Sequence, residues 1–486
     1  MNLGVNLPVR SATALFQTIL AGAAEAYPAL AAHVEGISAR NFGERLIRFE
    51  AERAALESPG RVDSAFLMTR LAAEQIVYVQ GDGSKIPLAQ FMRERAEPLS
   101  TTVLEVGTPR GLAPRIAYEG RIHAGGEIAE LARDFLSRRT ITPAAADALA
   151  WVARQRAIDL AGRKFVMMGA GAELAPTELL LNAGATVLFL DLSSAEKYVA
   201  DRALQSGTVV HAPGGANLLT QPREIAATIE AFAAGDPVHI GAFAYVGGHA
   251  MEWRLTASMN AVLRSLDPAL VGSIGLYISP TAPAEAQRED AVASLGGFAD
   301  PRFADRKWRG LGVLRKNLHE HEGTFWPRNI VSLQGASYLA AQYVEKRLAA
   351  EVFAARGTGD GKGRPVTVSA NVAGITRTRS MQIPTFQAGF LGAPSLGLET
   401  YDPATTRWLS GLLFLQGVLD PDAVGSATSP FEDENEKVRR LSSLQVHGAV
   451  YSHPYAVEGA ITRAALIGLG KRPRLIPGFV RSLFKK

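Results

Sequence analysis

The sequence predicts an α/β protein: a doubly wound parallel sheet preceded by a mainly helical N-terminal region. Two observations carry that expectation. Six short apolar runs recur between residues 165 and 374, and helix-period stretches separate most of them. Runs that are apolar throughout, rather than at alternate positions, suit strands buried on both faces, as in a parallel sheet covered by helices on each side. The stretch 1–155 has a different texture, with apolar and charged residues mixed near helical period.

In chain order, ERLIRFEAERAALES (44–58) and VDSAFLMTRLAAEQ (62–75) read as helices. IVYV (76–79) followed by Gly81-Asp82-Gly83 reads as a hairpin. Thr142-Pro143 is a helix start, a capping hydroxyl before a first-turn proline, and it opens PAAADALAWVARQ. The main domain, 156–455, then holds the apolar runs FVMMG (165–169), TVLFLD (186–191), TVVHA (208–212), VHIGAFAYV (238–246), VGSIGLYIS (271–279) and VTVSANVAG (366–374). An insertion at 280–330 and a Pro/Gly-rich segment at 382–405 interrupt the rhythm, and interruptions of that length are usually functional or mobile. Residues 456–486 form a basic tail.

Composition narrows the function classes. Hydrophobic residues make up 47% of the 486 and charged residues 20%, so the chain can bury a sizeable core. No apolar run reaches the ~18–20 residues that span a bilayer, and no basic stretch followed by an apolar core marks a secretory signal. With zero cysteines there are no disulfides or thiolate metal sites. A cytoplasmic protein is expected. A net charge of +4 is too small and too scattered for a nucleic-acid binder. The tail is the local exception. Within its last stretch, 470–486, Lys471, Arg472, Arg474, Arg481, Lys485 and Lys486 are interleaved with Leu475, Ile476, Phe479, Val480, Leu483 and Phe484 and with no acid. Such an end docks on an anionic membrane or a partner, or merely solubilises the chain.

The stretch KFVMMGAGAELAPTELLLNAGATVLFLD is laid out as a nucleotide-binding βαβ unit. Gly169 and Gly171 fall at the strand-to-helix turn, where missing side chains let a pyrophosphate approach. The helix start after it offers free N–H groups and partial positive charge. Asp191 closes the second strand, where a carboxylate accepts from both ribose hydroxyls and repels a 2′-phosphate, so NAD is expected over NADP. Glu173 stands where such turns usually keep a glycine.

Together these elements resemble, over residues 163–380, a divergent member of the short-chain dehydrogenase/reductase superfamily, which implies a Rossmann-like sheet. That family's TGxxxGxG turn corresponds to Met168-Gly169-Ala170-Gly171-Ala172-Glu173-Leu174-Ala175, with one of the three glycines kept. Its strand-5 serine corresponds to Ser279, and its YxxxK helix to Tyr338-Leu339-Ala340-Ala341-Gln342, with glutamine for lysine. Its PGxxxT corresponds to Ala373-Gly374-Ile375-Thr376-Arg377-Thr378, and its helix-4 asparagine to Asn260.

The resemblance implies an NAD(P)-dependent oxidoreductase interconverting an alcohol and a carbonyl, a small-molecule substrate, and assembly as a homo-oligomer. Tyr338 would pass the proton and Ser279 would orient the carbonyl. Gln342 would bond the ribose, Gly374 would bind the cofactor, and Thr378 would contact the nicotinamide amide or a phosphate. Tyrosine, with a pKa of about 10, needs nearby positive charge to act near neutral pH. Gln342 brings none, and Lys346, two α-helical turns beyond Tyr338, would lie roughly 12 Å along the axis. The alternative is a catalytically altered binding or scaffold subunit. Phe298, Trp308, Phe325, Trp326, Phe386, Phe390 and Leu391, in the two interruptions, point to a largely apolar substrate. His319-Glu320-His321-Glu322 reads as a solvated stretch rather than a metal site, His249 as an auxiliary acid or base or a structural residue, and the glycine-rich run 356–363 as a mobile loop.

Overall fold

A computed structural model describes residues 3–8, 11–38, 41–108, 110–202, 204–246, 250–359 and 363–484. His249 and the Lys485–Lys486 end lie outside them. The chain is α/β, organised on a mostly parallel sheet of seven strands. In chain order these are β1 (Thr102–Gly107), β2 (Lys164–Met168), β3 (Thr186–Leu190), β4 (Gly207–His211), β5 (Val238–Ala242), β6 (Val271–Ile278) and β7 (Thr367–Val372). Each of the six apolar runs becomes one of β2 to β7.

The spatial order is β7-β6-β5-β2-β3-β4-β1, parallel throughout except for β1, which runs antiparallel along β4. The chain travels outward from β2 through β3 and β4, then returns to lay β5 on the other side of β2. Strand order therefore reverses between β2 and β5, and in open α/β sheets ligands bind outside the carboxyl ends at such a reversal.

Alternate residues of the central strands feed two cores. Phe165, Met167, Val187 and Phe189 enter one cluster, with Leu412, Leu413 and Phe414 of the Pro403–Leu419 helix. Val166, Met168, Leu188 and Leu190 enter the other, with Ile225, Ile229, Val262 and Phe353 from helices on the opposite face. Burial on both faces is the physical reason these runs show no alternation.

Residues from the 1–155 stretch are woven into this body. Strand β1 closes one sheet edge, and the Pro143–Ala153 helix, capped as predicted by Thr142, packs in the first core. The predicted hairpin forms between Val77–Val79 and Lys85–Pro87. The helices Ala12–Ala26, Phe42–Ala55 and Gly60–Gln75 bury Phe16, Ile47 and Met68 in a third cluster with Trp253, Tyr343 and Leu348. Among the described residues no helix is long and apolar enough to cross a membrane.

A buried ionic network fastens those N-terminal helices to the long helix at 335–356. Arg53 pairs with Glu50 at 2.7 Å and with Glu351 at 2.8 Å, and Arg61 reaches Glu351 at 3.3 Å. Tyr343 donates to Glu50, and Arg347 approaches Glu50 and Glu351. All six side chains are essentially out of solvent. The helix they clamp is not uniformly α. Residues Ala341–Leu348 are π-helical, with α-helix on either side. Such wide turns are rare and are frequently found at functional sites.

A half-buried histidine adds acid sensitivity to the fold. His239 in β5 lies with Nδ1 2.9 Å from Ser273 Oγ and its ring against Phe165. Burial, with Arg163 adding to it, pushes its pKa down to about 4. An unfolded histidine titrates near ~6.5, so on acidification the unfolded chain takes up this proton first. The stability His239 contributes is complete above pH ~6.5 and is lost as pH falls toward 4, on the order of 3 kcal/mol. Urea unfolding at about pH 7 and about pH 4.5 should show that loss, and a His239→Gln variant should show less of it.

Candidate active site

A cavity of about 2090 Å³ opens at the carboxyl ends of β5, β6 and β7. Ser279, Tyr338, Gln342, Gly374 and Thr378 all line it, together with Lys346 and Glu252. Ser279 directly follows β6, and Tyr338 sits in the first turn of the helix at 335–356. The insertion at 280–330 separates them in sequence. It folds out as two helices, Arg288–Ala299 and Phe303–Gly310, and a hairpin, Leu318–His321 with Thr324–Pro327, and then returns the chain beside β6.

The Tyr338 hydroxyl lies near enough to the Ser279 and Thr281 hydroxyls for both to act on its pKa. Those two hydroxyls lie 2.7 Å apart, and the Thr281 backbone N–H donates to Ser279 Oγ at 3.2 Å. The serine is therefore held from its own loop rather than left to rotate. Burial raises the Tyr338 pKa above its usual value. The nearby Ser279 and Thr281 hydroxyls oppose that rise, while Glu252 and Tyr245 add to it. Tyr338 thus keeps its phenolic proton across the neutral range.

Gln342 is engaged with protein at both ends of its amide. Its Oε1 accepts from the Ser279 backbone N–H at 2.9 Å, and its Nε2 donates to Glu252 Oε1 at 3.2 Å. Gln342 fixes the turn that presents Ser279. Lys346 reaches the same carboxylate oxygen at 3.4 Å. Glu252 also accepts from the Val246 backbone N–H at 3.1 Å. The lysine that lines the cavity is therefore neutralised by a buried glutamate, which fits the raised tyrosine pKa. Glu252 and Thr281 did not stand out in the sequence. Glu252 is one acid in an otherwise unremarkable helix, and Thr281 is visible only as the second hydroxyl of Ser279-Pro280-Thr281.

Asn260 does not reach the cavity. Its amide donates to the Glu345 carbonyl at 2.6 Å and to the Glu345 carboxylate at 2.7 Å, and Trp253 donates to that carboxylate at 3.1 Å. Asn260 braces the π-helical turn from behind and acts on the site only through it.

The glycine turn after β2 is built without a side chain at its first position. Gly169 has φ +83°, and a Cβ there would overlap the Ala244 backbone at the end of β5. The Gly171 N–H donates to Asp191 Oδ2 at 2.9 Å, while Asp191 Oδ1 accepts from the Ser193 N–H and hydroxyl. These three residues lie beside the cavity rather than on its lining. The helix that follows is short, Thr177–Asn182. Glu173 turns to the opposite wall, where it accepts from the Arg379 backbone N–H at 3.1 Å with the Arg379 guanidinium 3.9 Å away.

Gly374 is small for a packing reason, because a Cβ would overlap the Tyr401 ring. Thr378 Oγ1 lies 2.9 Å from Ser380 Oγ, which in turn meets the Tyr245 hydroxyl at 3.0 Å. Of the aromatic and apolar residues expected to cap a pocket, Phe386 and Phe390 line the cavity. Trp326 is buried in the N-terminal core, and Phe298 packs on Arg309 and Tyr455. His319 and His321 lie on the insertion hairpin, and the described residues hold no group of three or more His, Cys, Asp or Glu that converges as a metal site.

Comparison of the sequence with protein-family models and with curated proteins returns no match.

Proposed function

We propose that this chain is an NAD(H)-linked, Rossmann-like oxidoreductase of the short-chain type that reduces a carbonyl to an alcohol, with Tyr338 as proton donor. The observation that carries the reading is that Ser279 and Tyr338, far apart in sequence, line one cavity beside the strand-order reversal with their hydroxyls close together.

The residues present fit a dinucleotide. The Gly169 turn keeps side chains off the end of β2, Asp191 Oδ2 retains acceptor capacity at the end of β3, and Glu173 is directed onto Arg379. Gly169, Gly171 and Asp191 would hold its adenosine half, and Thr378 and the cavity wall its nicotinamide half. NAD(H), when bound, would supply the hydride that the carbonyl carbon takes up.

The protein's part is the proton. Tyr338 donates it to the carbonyl oxygen, whose C=O π bond becomes an O–H, and the resulting tyrosinate is held by the Ser279 and Thr281 hydroxyls until solvent reprotonates it. The raised pKa keeps Tyr338 in the protonated form that carbonyl reduction requires, while making that proton harder to release. Gln342, Glu252 and Lys346 hold Ser279 and the helix in register. Phe386 and Phe390 suit an apolar substrate.

A second reading, a binding or scaffold subunit, draws on the glutamine at 342 and on the neutralised Lys346. Incubating the purified chain with deuterated NADH and a panel of aliphatic and aromatic ketones separates the two. The reductase reading expects deuterium on the carbinol carbon of a product alcohol; no label in any product supports the scaffold.

A further inference from the structure

The cavity that holds Ser279 and Tyr338 at one end is apolar at the other. Phe386 and Phe390 of the Pro384–Gly392 helix line it there, with Ile461 and Leu466 of the Val457–Lys471 helix and Phe479 of the Ile476–Phe484 helix. These three helices meet through glycine. A Cβ on Gly392 would overlap the Ala464 carbonyl, one on Gly468 the Ala388 carbonyl, and one on Gly478 would lie 2.8 Å from Pro384 Cγ. They therefore form one cap, with an inner face on the cavity and an outer face on solvent.

That outer face is apolar and cationic together. Ile383, Ile476 and Val480 are each 44–45% exposed, Leu466 stands at the cavity rim with 46% exposure, and Arg472, Arg474 and Arg481 of the same cap are exposed too. Of the 47 acidic residues in the chain, none falls in 379–398 or 459–486. Arg379 and Arg463 are matched by Glu173 and Asp305 from elsewhere, and Lys471 folds back onto Leu391 O and Ser395 Oγ. The cationic character of the outer face thus rests on Arg472, Arg474 and Arg481.

We infer that this cap docks on an anionic lipid bilayer, and that a long-chain carbonyl compound passes from the bilayer into the cavity beneath it. An amphipathic helix with arginine on its polar flank and aliphatic side chains on the other lies in the headgroup region. Cations near an anionic surface add an attraction that salt screens. A bilayer fits better than an acidic protein because exposed aliphatic side chains continue inward as the apolar arm of the cavity, a path that only a hydrocarbon phase supplies with substrate. The docking surface stands on the cap alone, whereas the lipid substrate rests on the reductase reading.

The test is co-sedimentation of the full chain with phosphatidylcholine vesicles made with or without phosphatidylglycerol. The chain should pellet with the anionic vesicles only, and less at high salt. The triple variant Arg472→Glu, Arg474→Glu, Arg481→Glu should lower that partition by more than about tenfold. Ile476→Asp, which keeps the cations and removes an inserting side chain, should weaken it too. All four positions are exposed, so an unchanged far-UV spectrum is expected for both variants. No pelleting with anionic vesicles overturns the inference, as does equal pelleting of the chain and the triple variant. Retention on immobilised polyglutamate without vesicle binding overturns it in favour of an acidic protein partner. Turnover enters none of these readouts, so vesicle binding by a chain without reductase activity upholds the docking surface and removes only the lipid substrate.

Discussion

Replacing Tyr338 by phenylalanine should lower carbonyl turnover by about 10²- to 10⁴-fold, the range associated with one positioned acid. The phenolic hydroxyl is the only group lost, and the Ser279 and Thr281 hydroxyls at 2.7 Å still satisfy each other. Stability should therefore change by less than about 1 kcal/mol. NADH affinity should hold, which places the loss in the chemical step and separates it from a binding defect. A Ser279→Ala variant should fall on the same side with a smaller loss, since Thr281 still reaches the tyrosine hydroxyl. Undiminished turnover in Tyr338→Phe would remove the tyrosine from the chemistry and leave the reaction class open.

The largest stability effect is expected at Arg53. Its guanidinium sits between Glu50 and Glu351, with all three side chains out of solvent. Arg53→Ala leaves two buried carboxylates short of a shared cation, and breaking a buried pair from one side costs about 3–5 kcal/mol. The thermal unfolding midpoint should drop by several degrees, and Arg53→Lys should recover only part of it, because lysine cannot present the planar fork. Turnover should fall as well. Glu351 and Tyr343 belong to the same helix that carries Tyr338, Gln342 and Lys346, so the N-terminal helices act as a brace behind the site. An unchanged midpoint in Arg53→Ala would mean that Arg61 and Arg347 alone compensate the two acids.

How much of this could be read beforehand follows from what each signal measures. The six apolar runs marked β2 to β7 because a strand covered on both faces writes its burial directly into its composition. Strand β1, TVLEVG, was missed for the opposite reason. It is a mostly exposed edge strand, and only its pairing with β4 across some hundred residues defines it. Ser279 and Tyr338 were identifiable one at a time, but their contact was not, since the length of an excursion says nothing about where it returns. The roles of Gln342 and Lys346 depended on the π-helical turn at 341–348, and periodicity reads that stretch as ordinary α-helix. Asn260 corresponds to the helix-4 asparagine of the resembled family, whereas its amide is consumed in bracing Glu345. Gly374 lines the cavity, and the Tyr401 ring leaves no room for a Cβ there, which the sequence alone does not reveal.

The central claim, that the crevice between β2 and β5 takes NAD(H), is tested most directly by titration calorimetry of the full chain with NADH and with NADPH. Saturable, single-site binding of NADH is predicted, with NADPH weaker by at least about tenfold because the Asp191 carboxylate opposes a 2′-phosphate. An Asp191→Ala variant should narrow that gap. The absence of saturable binding for both nucleotides would contradict the claim.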